Sequence, residues 1–180
     1  MARRSTSLAD FRLDTLPLTP LERASLITVM RAGGTIASLR GISADQLEEY
    51  YAMGYLSATN GRLEDAERIF NFVVMHNHLD ARTHKALGMV RHLLGAHALA
   101  ANSYVAASVL DVMDPEPVVH LAECMLAMDQ VESAAPTIDH ATQRLARSPN
   151  QQLQQRIELL KESIAKKRAA NKTETHQGEA

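Results

Sequence analysis

Three consecutive stretches of 34 residues decide the fold: LEEYYAMGYLSATNGRLEDAERIFNFVVMHNHLD (47–80), ARTHKALGMVRHLLGAHALAANSYVAASVLDVMD (81–114) and PEPVVHLAECMLAMDQVESAAPTIDHATQRLARS (115–148). Laid over one another they match in order: Gly54, Gly88 and Ala122; Gly61, Gly95 and Asp129; Ala66, Ala100 and Ala134; Phe70, Tyr104 and Ile138. A fixed period of this length marks a repeat array, in which each unit buries its apolar face on its neighbours. The caps keep the same beat. Asp80, Asp114 and Ser148 are spaced by 34 and each is expected to open a helix, the last two with Pro115 and Pro149 at the first helical position.

Within each unit the order is a large residue, an apolar-small pair, then Ala-x3-aromatic or branched, which is the tetratricopeptide helix-turn-helix pattern. The first two repeats supply Tyr50, Met53-Gly54 and Ala66-x3-Phe70, then His84, Leu87-Gly88 and Ala100-x3-Tyr104. The third, with Val118, Leu121-Ala122 and Ala134-x3-Ile138, is degenerate but in phase. Gly or Ala lets the two helices of a hairpin approach closely while the large residue fills the space beside it. Two departures stand out: the usual proline near each repeat end is replaced by His78, Val112 and Ala146, and the aromatic three after the small residue by Ser57, Arg91 and Met125.

Outward from the array, Met1 to Leu18 lacks regular periodicity and reads as a flexible arm. Thr19-Pro20-Leu21-Glu22 combines a cap, a first-position proline and a Glu three after the cap, which marks a helix start in a segment over 19–42. Leu26, Ile27, Val29 and Met30 give that helix an apolar face, and Gly33-Gly34 ends it. A short helical turn over Thr35 to Leu39 and a break at Gly41 lead to Ser43, which is expected to cap the next helix with Gln46 as partner. Beyond the array, Pro149 to about Lys167 reads as a lone capping helix (149–168), and Ala169 to Ala180 as a disordered tail. The predicted fold is therefore all-α: three tandem tetratricopeptide repeats with an N-terminal helix and a C-terminal capping helix.

Composition narrows the function classes. At 180 residues the chain has the size of one domain, and its net charge of -2 argues against nucleic-acid binding by bulk charge. The single cysteine, Cys124, excludes an intramolecular disulfide framework and suits a reducing compartment. No run approaches a membrane span or the apolar core of a signal peptide, so the expectation is a cytosolic protein without membrane insertion.

Catalytic and metal readings are weak. His120 and Cys124 sit four apart, on one face of a helix, as a thiol nucleophile and its base would. Glu123 beside the thiol argues against the electropositive setting such a nucleophile needs, and a buried structural cysteine is the favoured reading. His76-x-His78 and His92-x4-His97 lack the spacing and additional ligands of a zinc site. No phosphate loop is present, and the sequence points to no cofactor, no metal and no enzyme activity.

The feature that suggests function is a second stripe on the first helix of each repeat. Tyr50, Met53, Gly54 and Ser57 are expected to pack on the partner helix, while Glu48, Tyr51, Tyr55 and Ala58 fall about a third of a turn away, on the concave side. The same face carries Arg82, Lys85, Met89, His92 and Leu93 in the second repeat, and Glu116, Val119, Glu123 and Leu126 in the third. Aromatic and apolar residues among charges suit an extended peptide, with pockets for apolar anchors and charges for register. The alternative is that Tyr51 and Tyr55 are core against the N-terminal helix. Phe72 and His76, read as the outer flank of the second helix, and the Leu26, Ile27 and Met30 face are candidates for a dimer surface.

The whole chain resembles the class II, tetratricopeptide chaperones of type III secretion translocators. The resembling segments are Gly33-Gly34-Thr35-Ile36-Ala37, Gly41-Ile42-Ser43, Leu47-Glu48 leading to Tyr51, Gly61 with Glu64-Asp65-Ala66, Asp80-Ala81-Arg82, and Ser103-Tyr104 continuing to Asp111. The most specific is Pro115 or Pro117 leading into His120-x-Ala122-Glu123-Cys124-x-Leu126. The resemblance implies a bacterial cytoplasmic, non-enzymatic chaperone that binds two hydrophobic pore-forming translocators and keeps them soluble and apart before secretion. It implies a groove that seats a P-x-L-x-x-P type of segment on first-repeat aromatics, positions matched by Tyr51 and Tyr55. Ala58 departs where relatives often carry an aromatic, which implies a wider pocket. Homodimers are common in the family. The competing reading is a tetratricopeptide adaptor or regulatory scaffold, including a co-activator of a transcription regulator.

Overall fold

The structure is a computed structural model that describes residues 19–147 and 149–177, excluding the side chains of Met30 and residues 171–177. The expected arm over 1–18, the Ser148 cap and the last three residues of the expected tail lie outside the described residues. All regular structure among the described residues is helical, in nine helices. They fall in two units, divided after Ser43.

The first unit holds α1 (Pro20–Arg31) and α2 (Ile36–Arg40). The expected capping box forms, with the Thr19 N–H donating to Glu22 Oε2 at 2.8 Å and the Glu22 N–H to Thr19 Oγ1 at 3.3 Å. Gly33 adopts φ 73°, and the Gly34 N–H returns to Val29 O at 2.8 Å, which closes α1 as the glycine pair predicts. Thr35 caps α2 reciprocally with Ser38, and Gly41 ends it in the left-handed region. Leu26 and Ile27 are half-buried.

The second unit contains the array: α3 (Ala44–Thr59) with α4 (Leu63–His76), α5 (Ala81–Leu93) with α6 (His97–Leu110), α7 (Glu116–Ala127) with α8 (Val131–Leu145), then α9 (Gln151–Gln177). From α3 to α9 each helix packs on the next. The periodic residues are the core. Ala66, Ala100, Ala134 and Phe70 are wholly buried, and Tyr104 and Ile138 nearly so. A Cβ on Gly54 would lie 2.8 Å from Phe70 Cε1, and one on Gly88 2.8 Å from Tyr104 Cε1. The small residue is thus small because the partner ring occupies its side-chain volume.

The caps follow the same period. Asp80 accepts from the Arg82 N–H at 3.0 Å, and Asp114 from the Glu116 N–H at 2.9 Å, with Pro115 between. At the start of α9 the side chain of Asn150 serves as a cap, its Oδ1 accepting from the N–H groups of Gln152 and Leu153 at 3.0 and 3.1 Å. Pro149 precedes this cap. α9 also continues to Gln177, past the expected limit near 168. No Gly or Pro interrupts this run, and Lys167 and Arg168 are tied to Asp129 and Glu132 at the α7–α8 corner.

Met53 does not pack on the partner helix as expected, and Tyr50 does so only in part. Tyr50 lies against Phe72, with ring centroids 4.7 Å apart, but stays substantially exposed, and Met53 is open to solvent. The inward face is instead carried by Leu47, Gly54 and Ser57. A wheel drawn at fixed angle places Tyr50 and Met53 near that face, but the close approach at Gly54 leaves room for one large ring, Phe70.

Arg91, standing where the repeat pattern has an aromatic, holds three helices together. Its Nε donates to Glu67 Oε1 at 2.9 Å on α4, Nη2 to Asn71 Oδ1 at 2.8 Å on α4, and Nη1 to Ser103 Oγ at 2.8 Å on α6. Removing it strands the half-buried Glu67 and Asn71 and leaves the buried Ser103 with Leu99 O alone, so Arg91→Met is expected to lower stability by about 2 kcal/mol in urea unfolding. Arg91→Lys should recover little, because one ammonium cannot reproduce the planar fork. A methionine variant as stable as the wild type would mean that these groups are satisfied without the guanidinium.

Candidate functional site

The face carried by α3, α5 and α7 inherits the 34-residue period, so equivalent residues of successive repeats form rows across it: Tyr51, Lys85 and Val119; Tyr55, Met89 and Glu123; Ala58, His92 and Leu126. The structure opens this face in the first two repeats and closes it in the third.

In the open part Tyr55, Met89 and Leu93 expose 54%, 43% and 60% of their surfaces. Beneath them Tyr51, Ala58 and His92 are half-buried. Tyr51 packs on Phe70, with centroids 5.5 Å apart and the rings tilted by 53°, and the Arg82 guanidinium sits 4.0 Å from the centre of the Tyr51 ring. The row is thus a floor fixed by core contacts, with three apolar side chains standing above it.

The charges predicted to set a peptide's register are spent on one another. Arg82 pairs in bidentate fashion with Glu48, Nη1 to Oε1 at 3.1 Å, bridging α3 and α5. Lys85 Nζ reaches Asp114 Oδ2 at 2.8 Å and Glu116 Oε2 at 2.7 Å, bridging α5 to the start of α7. Glu123 takes Arg156 of α9, Nη2 to Oε2 at 3.0 Å. These links join consecutive repeats. Sequence spacing alone gave no sign of them, because each partner lies about one whole repeat away.

Two assigned groove residues are not on the surface. Val119 is wholly buried and Leu126 nearly so, in a cluster with Ile138 of α8 and Ile157 and Ile164 of α9. α9 packs on α7 as well as α8 and covers the face that the wheel had assigned to the groove. His76 is likewise buried, its Nδ1 2.8 Å from Phe72 O and its ring 4.2 Å from the Phe72 ring. With Phe72 half-buried between Tyr50 and His76, His76 offers no outer flank for a dimer.

The His120–Cys124 pair does not form. Cys124 is fully buried, 3.3 Å from His92 Nδ1, and burial, with Glu123 adding, pushes its thiol up to about 11. His120 turns to two carboxylates, with Nδ1 2.8 Å from Glu123 Oε2 and Nε2 3.6 Å from Glu116 Oε1, and stacks on Tyr104 at 5.2 Å. Burial disfavours its charged form, but the bonds to Glu116 and Glu123 outweigh this and hold the imidazole up at about 9. The His120 bond first, then Lys85, holds Glu116 down at about 2. For Glu123, burial opposes the charge, yet His120 and Arg156 hold it too at about 2. His92 titrates the other way, lowered by burial and then by His97. A thiol this protonated and enclosed is no nucleophile, and His120 is the cation of a structural triad.

Among the described residues no group of three or more His, Cys, Asp or Glu side chains is arranged to hold a metal, and no helix is long and apolar enough to cross a membrane.

No family model matches the chain. Similarity to individual proteins is extensive. The low calcium response locus protein H of Yersinia pseudotuberculosis is 31% identical over 140 residues, covering 77% of this chain and 83% of the relative. The type III secretion chaperone SycD of Yersinia enterocolitica, solved in complex with a peptide of the translocator YopD, superposes with a TM-score of 0.66 at 30% identity, covering 71% of this chain and 98% of that one. PcrH, a Pseudomonas aeruginosa protein solved with the chaperone binding region of PopB, gives 0.63 at 32%, covering 67% and 98%.

Proposed function

Since the chain belongs to the family of type III secretion translocator chaperones, a family of non-enzymatic tetratricopeptide proteins, we propose that the open face of α3 and α5 seats an extended, mainly apolar segment of a hydrophobic translocator in the bacterial cytoplasm. The observation that carries this reading is the trio Tyr55, Met89 and Leu93, exposed over a floor of Tyr51, Ala58 and His92. The surrounding charges are already paired within the chain, so recognition rests mainly on apolar anchors. Binding of two such clients keeps them soluble and apart until secretion. Glu48, Arg82 and Lys85 hold the repeats in register rather than reading the client's charge.

The test is capture of a co-expressed translocator, and titration with its chaperone-binding segment, by the Tyr51→Ala, Tyr55→Ala double variant. Affinity should fall at least about tenfold, the scale of a lost aromatic anchor, with the helical circular dichroism retained. Raising salt from 0.05 to about 0.5 M should change wild-type affinity little, because no free charge on this face is spent on the client. Unchanged capture by a folded double variant would rule out this face as the client site.

A further inference from the structure

The row Ala58, His92 and Leu126 crosses the repeats at one level, and its middle member alone is polar. His92 is half-buried in the floor of the open face, with Met89 and Leu93 exposed beside it on the same helix. Its Nδ1 lies 3.3 Å from Sγ of Cys124, which is fully buried on α7. That pairing has a direction. The Cys124 thiol is held protonated, pushed up to about 11, while burial and then His97 lower His92 and favour its neutral form. A bare imidazole nitrogen accepts well and a thiol sulfur accepts poorly, so Sγ–H donates to Nδ1 and the ring proton resides on Nε2. The His97 ring, 5.0 Å away and inclined by 60°, restricts rotation of the imidazole. Nε2 meets no protein acceptor among the described residues and is not sealed from solvent. The cations of this face are less free: Arg82 is bound to Glu48, and Lys85 to Asp114 and Glu116.

Resting on the reading of this face as the client site, we propose that His92 sets the client's register: its Nε2–H, oriented by the buried Cys124, donates to one backbone carbonyl of the bound segment. An extended segment has no hydrogen bonds of its own, and each carbonyl laid over apolar side chains gives up water without a replacement. His92 relieves that cost at one point, because Ala58 and Leu126 offer no side-chain donor at the same level of the neighbouring repeats. Carbonyls of an extended chain alternate in direction, so sliding by one residue turns the paired carbonyl away, and sliding by two displaces the apolar anchors by about 7 Å. Tyr55, Met89 and Leu93 supply affinity, and His92 selects the alignment in which the segment keeps it.

Substitutions at His92 test this, since a purely apolar floor and a floor with a donor predict opposite results. The probe is a synthetic peptide of the chaperone-binding segment of the co-expressed translocator, titrated into the full chain. His92→Leu, which makes the floor wholly apolar, should weaken binding at least about tenfold with circular dichroism retained, the scale of a carbonyl left unpaired. His92→Gln, whose side-chain amide N–H reaches close to the place of Nε2–H, should bind within about threefold of the wild type. Nitrogen NMR of the free protein at neutral pH should find His92 protonated on Nε2 and bare on Nδ1. Binding by His92→Leu equal to or tighter than the wild type overturns the proposal, and if the Tyr51→Ala, Tyr55→Ala variant is weakened in the same titration, the client face itself stands. Unchanged binding by the tyrosine variant removes the face and the proposal together. A His92→Gln variant as weak as His92→Leu, or a ring proton found on Nδ1, also overturns the role given to His92.

Discussion

Gly88→Val lowers the unfolding free energy by about 3 kcal/mol, a large share of a small domain's stability. A Cβ there would meet Tyr104 at 2.8, 2.9 and 3.0 Å, on Cε1, Cδ1 and Cζ, and the ring is 1% exposed, with Ala100 and Cys124 in its cluster and His120 stacked on it. It has nowhere to turn. Valine adds branching that a helix tolerates poorly, whereas Gly88→Ala regains about 1 kcal/mol of helix propensity and should cost less. The clash is local, so Tyr104→Leu in the same chain should absorb part of it. The double variant is expected to be more stable than the sum of the single effects by over about 1 kcal/mol, measured by urea unfolding of all four proteins. Strict additivity would show that the two side chains do not compete for one volume.

The second large effect concerns pH. The imidazole of His120 is held at about 9 in the folded chain and stands at 6.5 when unperturbed, so the stability it supplies is complete below about 6.5 and is lost as pH rises through 9. Glu116 and Glu123, held at about 2 against 4.5, contribute above 4.5 and lose their contribution as pH falls towards 2. Stability should therefore plateau between about 4.5 and 6.5 and decline by about 2–3 kcal/mol by pH 9.5. Lys85 and Arg156, which complete the charge set around the triad, keep their charge through this window. Urea midpoints at half-unit steps of pH would trace the decline. In His120→Gln the alkaline slope should vanish while overall stability drops, because two part-buried carboxylates lose their shared cation. A slope that survives the substitution would assign the titration elsewhere.

Much of this architecture is legible in the sequence because it is local and periodic. Gly54 and Phe70, Gly88 and Tyr104, Asp80 and Asp114 each declare their role through spacing, and the family follows from the segments around Gly33-Gly34 and His120-x-Ala122-Glu123-Cys124. The functional face was harder to read. A helical wheel gives Tyr55 and Val119 the same status, yet α9 covers one and leaves the other open, and nothing in α7 announces which neighbour will lie across it. Arg91 was visible only as a departure from pattern, since the partners that make it structural come from α4 and α6. The groove charges looked like ligands for a client because their partners, such as Glu48 for Arg82, sit one full repeat away.

The pairing of Glu48 with Arg82, and of Lys85 with Asp114 and Glu116, separates two kinds of position on one face. Side chains that hold the repeats in register are committed to partners, whereas Tyr55, Met89 and Leu93 touch little of the core and are open to solvent. Exchanging any of these three for another residue leaves the scaffold's stability nearly untouched. Binding preference can therefore drift from one lineage to the next at positions where folding imposes almost no selection, while the array that presents them stays fixed.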